Sequence, residues 1–190
     1  ARPALRCYYD ATEMKENTLT QNSIDIMEKL DGPLTITTYA NMFDENYFRA
    51  LPRYYNEDFN RFEKYIRFKP EIKMKYVYYY DTVATNPWLM SRYPGKTIDE
   101  IAKEESEKRD WDIKKMLTPK QIKKIIDLEP EGNAFVRLVE RKNGQKAFLR
   151  LFNDMEKHPS EAEIGVMFKR FVMDMPKVGF LTGHGEPSII

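Results

Sequence analysis

Apolar and polar residues alternate in some stretches of this chain and recur every three or four residues in others. The first helical pattern begins after Thr20, a residue type suited to a helix N-cap. Its apolar positions are Ile24, Met27 and Leu30. Gly32 and Pro33 end this helix, and the β-branched alternation of residues 34–39 predicts a strand.

A second helix and strand follow. Pro52 is suited to a first helical turn. The apolar positions expected on one face of the helix are Tyr55, Phe59, Phe62 and Ile66. Residues 71–81 alternate as a strand. One side of that strand carries Met74, Tyr76, Tyr78 and Tyr80, and the other carries Lys73, Lys75, Val77 and Tyr79.

The centre of the chain is richer in polar residues. Residues 82–96 have no clear period and predict a long connection in which Trp88 and Tyr93 pack against the core. Thr97 is expected to cap a charged helix over residues 98–109. Thr118 and Pro119 open a further helix. Its inward positions are expected to be Ile122, Ile125 and Ile126.

A β-hairpin is the clearest local pattern. Residues 134–140 and 145–152 alternate on either side of Asn143-Gly144, a pair typical of hairpin turns. An amphipathic helix is expected after Pro159-Ser160. Its apolar positions are Ile164, Met167, Phe168, Phe171 and Val172.

This order of elements predicts an α/β fold, a mixed sheet with helices on both faces. Thioredoxin-like topology is the leading expectation, and another small mixed α/β sandwich is the alternative. Residues 21–175 would form the thioredoxin-like α/β domain, and residues 178–181 are expected to form a further short strand.

Composition excludes several classes of function. The 31 Lys and Arg residues balance 30 Asp and Glu residues, so nucleic acid is not expected as a partner. No apolar run approaches the ~20 residues of a membrane helix. Cys7 is the single cysteine, so dithiol exchange and Cys-based zinc sites are excluded, and we expect this thiol to be buried and inert. No phosphate-binding loop sequence is present, and no cofactor is predicted.

Two groups of residues are candidates for function. The loop Gly183, His184, Gly185 and Glu186 follows a predicted apolar strand, where catalytic and binding groups are often placed, although a structural turn is the favoured interpretation. The aromatic residues Tyr78, Tyr80 and Trp88 would suit a partner protein or a glycan if they are exposed. No complete catalytic set and no metal site is predicted.

Two segments resemble the extracytoplasmic region of the auxiliary component of gliding-motility-type ABC transporters. The first segment contains Asp10-Ala11-Thr12, Asn17-Thr18-Leu19-Thr20, Ser23, Leu30 and Leu34-Thr35-Ile36-Thr37, and it looks like the family's entry segment. The second segment, residues 177–186, is similar to the strand and Gly-His-Gly-Glu loop that open the family's next domain. Pro187 departs from the polar or basic residue that often follows that loop in the family.

The resemblance implies a protein anchored in the inner membrane, projecting outside the cytoplasm, with an ABC permease and its ATPase as partners. It also implies that residues 1–20 are an entry segment after a membrane anchor and that residues 176–190 begin a second α/β domain. We therefore expect a non-catalytic accessory domain. One alternative is a hydrolase or amidotransferase-like enzyme whose site, with His184 and Glu186 at its edge, is completed beyond Ile190. The other alternative is a glycan-binding module.

Overall fold

A computed structural model of the protein describes residues 18–151 and 158–173. The strands are β1 (Leu34–Asn41), β2 (Ile72–Tyr79), β3 (Met116–Leu117), β4 (Val136–Arg141) and β5 (Lys146–Arg150). The α-helices are α1 (Gln21–Glu28), α2 (Tyr55–Phe68), α3 (Ile98–Arg109), α4 (Pro119–Ile125) and α5 (Glu161–Val172). Short 3₁₀ turns over residues 47–50 and 52–54 connect β1 to α2.

The strands form one mixed sheet in the order β3-β2-β1-β4-β5. β1 runs parallel to β2, which runs parallel to β3, and β4 pairs antiparallel with both β1 and β5. The expected mixed α/β sheet, with a parallel pair and an antiparallel hairpin at one edge, is confirmed. β3 was not predicted, because two residues are too short to show an alternating pattern.

Helices cover both faces of the sheet, as expected. On one face, α1, α2 and α5 pack on strand residues such as Leu34, Ile36 and Val139 to form the largest apolar cluster. On the other face, Ile122 of α4 and the following Leu128 pack against the opposite side of the strands. The alternation of side chains along each strand therefore separates two cores.

The predicted helix starts are confirmed by their caps. The side chains of Thr97, Thr118 and Ser160 each accept a hydrogen bond from the backbone N–H three residues later, and a Glu or Gln at that position bonds back to the cap. Thr20 caps α1 in a simpler way, by accepting from the Ser23 N–H. These contacts satisfy N–H groups that the first helical turn leaves without partners.

The connection between β2 and α3 packs at the end of the parallel strands, where Val83 and Leu89 join Ile101 of α3 in a third cluster. Tyr93 contacts this cluster as predicted. Trp88 does not, because 73% of its surface is exposed, so its predicted packing role is wrong.

The inward placement of Ile125 is also wrong, since this residue is 61% exposed. Helix α4 ends at Ile125, and Ile126 continues in extended backbone, so the helical spacing stops before the third isoleucine. Ile122 is buried as predicted.

Several expectations fall outside the described residues. These are most of the entry segment, Cys7, the strand at 178–181 and the beginning of a second domain. Thioredoxin-like topology also stays a prediction. In the described ranges, no helix combines the length and the apolar character needed to cross a membrane.

Candidate functional site

A cavity of about 150 Å³ opens between the β1–α2 connection, the first turns of α2, β4 and His158, which lies three residues before α5. We call it the arginine cavity after Arg49, Arg61 and Arg137. Its full lining is Phe48, Arg49, Tyr54, Glu57, Asp58, Arg61, Arg137 and His158. The cavity lies where the chain leaves β1, a parallel strand, and ligands of α/β proteins commonly bind near such strand ends.

Arg137 is almost fully buried in this cavity, with 2% of its surface exposed. It lies on β4 between Phe135 and Val139, so strand alternation directs it to the same face as these apolar neighbours. Its Nη2 donates to Oδ1 of the buried Asp58 over 2.6 Å. Its guanidinium also lies 5.5 Å from the ring centre of Phe62 and 5.1 Å from that of Phe135.

Asp58 is held from two sides. Its Oδ2 accepts a hydrogen bond from the Tyr76 hydroxyl over 2.8 Å, while Oδ1 accepts from Arg137. Burial raises the pKa of Tyr76, and the charge of Asp58 raises it further, so Tyr76 stays protonated and donates. The pair of Arg137 and Asp58 is therefore a fixed buried element of the fold.

Arg137 has more N–H donors than the one that bonds to Asp58. Nε and Nη1 of Arg137 are buried and have no hydrogen-bond partner within residues 18–151 and 158–173. A buried donor without an acceptor typically costs about 1–3 kcal/mol. Arg137, which lines the cavity, thus keeps two donor nitrogens without an acceptor in the described part of the chain.

Arg49 and Arg61 add positive charge at the cavity rim. Arg61 forms an ion pair with Glu57 over 2.7 Å. Arg49 donates from Nε to Oδ1 of Asn46 over 3.4 Å, but it has no carboxylate partner in the described part of the chain. Burial lowers the pKa of Arg49, and the charges of Arg61 and Arg137 lower it further. The positive charges of Arg61 and Arg137 are therefore close enough to repel that of Arg49.

His158 contributes a neutral imidazole. Burial lowers its pKa to about 3, and the charges of Arg137, Arg61 and Arg49 act in the same direction. Its ring meets that of Phe62 edge-on, with centroids 5.4 Å apart. At neutral pH His158 therefore offers a hydrogen-bond donor and acceptor but no charge.

Tyrosines from α2 and β2 lie next to this site. Tyr55 stacks on Tyr76 with ring centroids 4.2 Å apart, and its hydroxyl is hydrogen-bonded to that of Tyr78. Tyr78 also donates to the carbonyl oxygen of Ala50, at the end of the turn that carries Arg49. This network positions the β1–α2 connection against the sheet.

The predicted aromatic candidates do not form one exposed surface. Tyr80 is only 4% exposed and donates to Oδ1 of Asp99, while burial followed by this bond raises its pKa to about 12. Tyr78 is half-buried in the tyrosine network, and Trp88 alone of the three is largely exposed. A glycan or partner surface that needs all three rings is thus not present, and a role for Trp88 alone stays a prediction.

The remaining predicted candidates belong to the Gly-His-Gly-Glu loop. Gly183, His184, Gly185 and Glu186 are outside the described residues, so the enzyme alternative based on this loop stays a prediction. No group of three or more His, Cys, Asp or Glu side chains with the spacing of a metal site occurs in the described ranges.

Sequence reasoning missed the arginine cavity, although signals for it are present. Arg137 stands between Phe135 and Val139 on the alternating face that packs inward, an unusual place for an arginine. On the predicted α2 face, Phe62 is buried and Ile66 packs against the largest apolar cluster, as expected. Phe59 was predicted wrongly, since it is 46% exposed and the neighbouring Asp58 is buried. A charged residue at helical spacing from core residues, opposite a buried arginine, is the pattern that would have identified the pair.

Fold and cavity together define an α/β domain with a buried cationic site. No protein family, no curated protein and no solved structure matches this chain. The resemblance to the ABC transporter auxiliary family therefore remains a hypothesis supported by sequence segments.

Proposed function

We propose that this chain is a non-catalytic ligand-binding domain and that the arginine cavity is its binding site. The observation that carries the proposal is the buried Arg137, which has two donor nitrogens without acceptors in the described part of the chain and lines the cavity. Folding places a charge in the interior at a cost that Asp58 offsets only in part. A ligand that accepts from Arg137 explains why this charge is retained.

A small-molecule screen followed by two-dimensional NMR on the 190-residue protein tests this role. Ligands that bind should shift the backbone amide resonances of Arg49, Asp58, Arg61 and His158 before those of distant residues. The solvent-exposed Trp88 provides an internal comparison, because its indole signal reports nonspecific binding to an exposed ring. Binding only at Trp88 or along the edge strand β5 would contradict the proposal.

We also propose a cellular context: an extracytoplasmic accessory domain of an ABC transport system of the gliding-motility type, anchored to the inner membrane through segments that flank this chain. Support comes from residues 10–37 and 177–186, which resemble that family. The proposed partners are the permease and ATPase subunits. In this context the domain would present or receive a ligand next to the permease.

Membrane fractionation of the tagged full-length protein tests the context. The protein should be found in the inner-membrane fraction, and mass spectrometry of the detergent-solubilised complex should identify an ABC permease and an ATPase. A full-length protein that lacks hydrophobic helices around this region and remains in the soluble fraction would remove this assignment. The binding role of the cavity would be unaffected by that result.

A further inference from the structure

The charges around the arginine cavity select the chemistry of its ligand. Among the described lining residues, three guanidinium groups face the two carboxylates of Glu57 and Asp58. His158 is neutral at physiological pH. One positive charge is therefore left, and Arg49 carries it, because the other two arginines have carboxylate partners within 2.7 Å.

Both carboxylates of the lining are already engaged. Asp58 accepts from Arg137 and Tyr76, and Glu57 accepts from Arg61. The groups without a partner include two donor nitrogens, Nε and Nη1 of Arg137, a residue that lines the cavity. A ligand with acceptors and one negative charge matches this surplus, whereas a cationic ligand would meet uncompensated positive charge.

Aromatic rings line the same cavity. The Phe48 and Tyr54 rings contact each other edge-on, with centroids 5.8 Å apart, and both line the cavity. They offer an apolar surface next to the guanidinium of Arg49, which lies 5.1 Å from the Phe48 ring centre. An anionic group with an apolar or aromatic remainder fits these two surfaces together.

We infer that the ligand is an organic carboxylate, an inference that rests on the proposed binding role. Its carboxylate lies among Arg49, Arg61 and Arg137, and its apolar part lies against Phe48 and Tyr54. A carboxylate has the single charge that neutralises the site, whereas a phosphate dianion would overcompensate it. Carboxylate oxygens are also strong acceptors for guanidinium donors.

NMR titration of the 190-residue protein with benzoate, its neutral analogue benzamide, inorganic phosphate and sodium chloride at matched ionic strength tests this inference. We expect benzoate to shift the cavity resonances and to bind about tenfold or more tightly than benzamide, because a hydrogen bond to a charged group is lost in the amide. Arg49→Gln should weaken benzoate binding about tenfold for the same reason.

Arg67→Gln is the matched control. Arg67 lies on the same helix as Arg61 and pairs with Glu63 four residues earlier, as Arg61 pairs with Glu57, but it does not line the cavity. This variant loses the same charge and should bind benzoate as the unchanged protein does. An Arg49→Gln variant that also binds benzoate normally would overturn the inference.

The other outcomes separate this inference from the proposal on which it rests. If benzamide binds at the cavity as tightly as benzoate, or phosphate binds there and benzoate does not, the carboxylate inference fails while the cavity remains a ligand site. If no probe shifts the cavity resonances beyond the effect of chloride, the carboxylate inference fails. The small-molecule screen then decides whether the cavity binds any ligand.

Discussion

At the scale of single residues, the buried pair of Arg137 and Asp58 has a structural role and lies at the proposed binding site. Removing one partner of such a pair leaves an uncompensated charge in the interior, which is far more costly than losing an exposed ion pair. Asp58 also holds the Tyr76 hydroxyl, so its loss would affect two contacts. The stability of the fold and the shape of the site therefore depend on the same carboxylate.

Asp58→Ala should lower the free energy of unfolding by about 3–5 kcal/mol, because Arg137 stays buried without its partner. The neighbouring Glu57→Ala should cost less than about 1 kcal/mol, since Glu57 is solvent-exposed in its pair with Arg61. Urea denaturation followed by circular dichroism measures both variants. The double variant Asp58→Ala/Arg137→Met should recover much of the loss, and equal costs for the two single variants would contradict the buried-pair argument.

His158 should make the protein less stable in mild acid. Its pKa is 6.5 in the unfolded chain and about 3 in the fold, so between these values the unfolded chain takes up a proton that the folded chain does not. The free energy of unfolding should then fall by at most about 1.4 kcal/mol per pH unit below pH 6.5. Urea midpoints measured between pH 7.5 and 5 test this.

His158→Asn is the control for this pH dependence, because asparagine cannot take up the proton. Its stability should vary less with pH over the same interval. Burial raises the pKa of the Glu161 carboxyl, but hydrogen bonds from Ser23 and Thr20 outweigh it and lower this pKa to about 2. Glu161 therefore adds its own acid sensitivity at lower pH, and the measurements should stop near pH 5. Parallel curves for the two proteins would contradict the role given to His158.

At the scale of elements, local sequence signals and tertiary contacts act together at the element ends. Glu161, the first residue of α5, accepts from the backbone N–H and the hydroxyl of Thr20 and from Lys64 Nζ. One carboxylate thus joins the starts of α1 and α5 to α2. The hairpin depends more on local geometry, since Gly144 has φ +89° at the turn between β4 and β5.

Two glycine substitutions should have effects of opposite sign. Gly144→Ala should destabilise the protein by about 1 kcal/mol or more, because an L side chain is strained at φ +89° even though nothing lies within 4 Å of a new Cβ. Gly165→Ala in α5 should stabilise it by up to about 1 kcal/mol, because an added Cβ meets only Ser23 Oγ, at 3.9 Å. Thermal and urea unfolding measure both, and the same sign for the two variants would contradict this.

At the scale of the whole molecule, one sheet supports several apolar clusters. Ile164 belongs to the cluster under α1, α2 and α5, and Ile101 to the cluster at the end of the parallel strands. Tyr80 directly follows β2, and its backbone N–H donates to Leu117 of β3. Because the clusters share the central strands, we expect them to unfold together.

Ile164→Val and Ile101→Val should each lower the free energy of unfolding by about 0.5–1.5 kcal/mol. Tryptophan fluorescence, in which Trp111 reports on the third cluster, the one that contains Ile101, and far-UV circular dichroism should give one midpoint for each variant. If Ile101→Val shifts the fluorescence transition alone, the region around α3 unfolds independently of the sheet.

The sequence by itself determined most of the local structure, because the signals for it are short-range. Thr97, Thr118 and Ser160 predict the starts of the helices that they cap, and Asn143-Gly144 predicts the hairpin of β4 and β5. Each of these signals lies within a few residues of the element that it predicts. The order of these elements was also sufficient to predict a mixed α/β sheet.

Only the tertiary structure decided which polar residues lie inside and which apolar ones remain outside. Asp58 and Arg137 are 79 residues apart, and only the parallel pairing of β1 with β2 and the antiparallel pairing of β1 with β4 bring helix α2 over β4. Ile125 and Trp88 are apolar in any local pattern but are exposed, because no helix or strand of the described ranges packs over them. Burial depends on neighbours that are distant in the chain, so a local pattern cannot specify it.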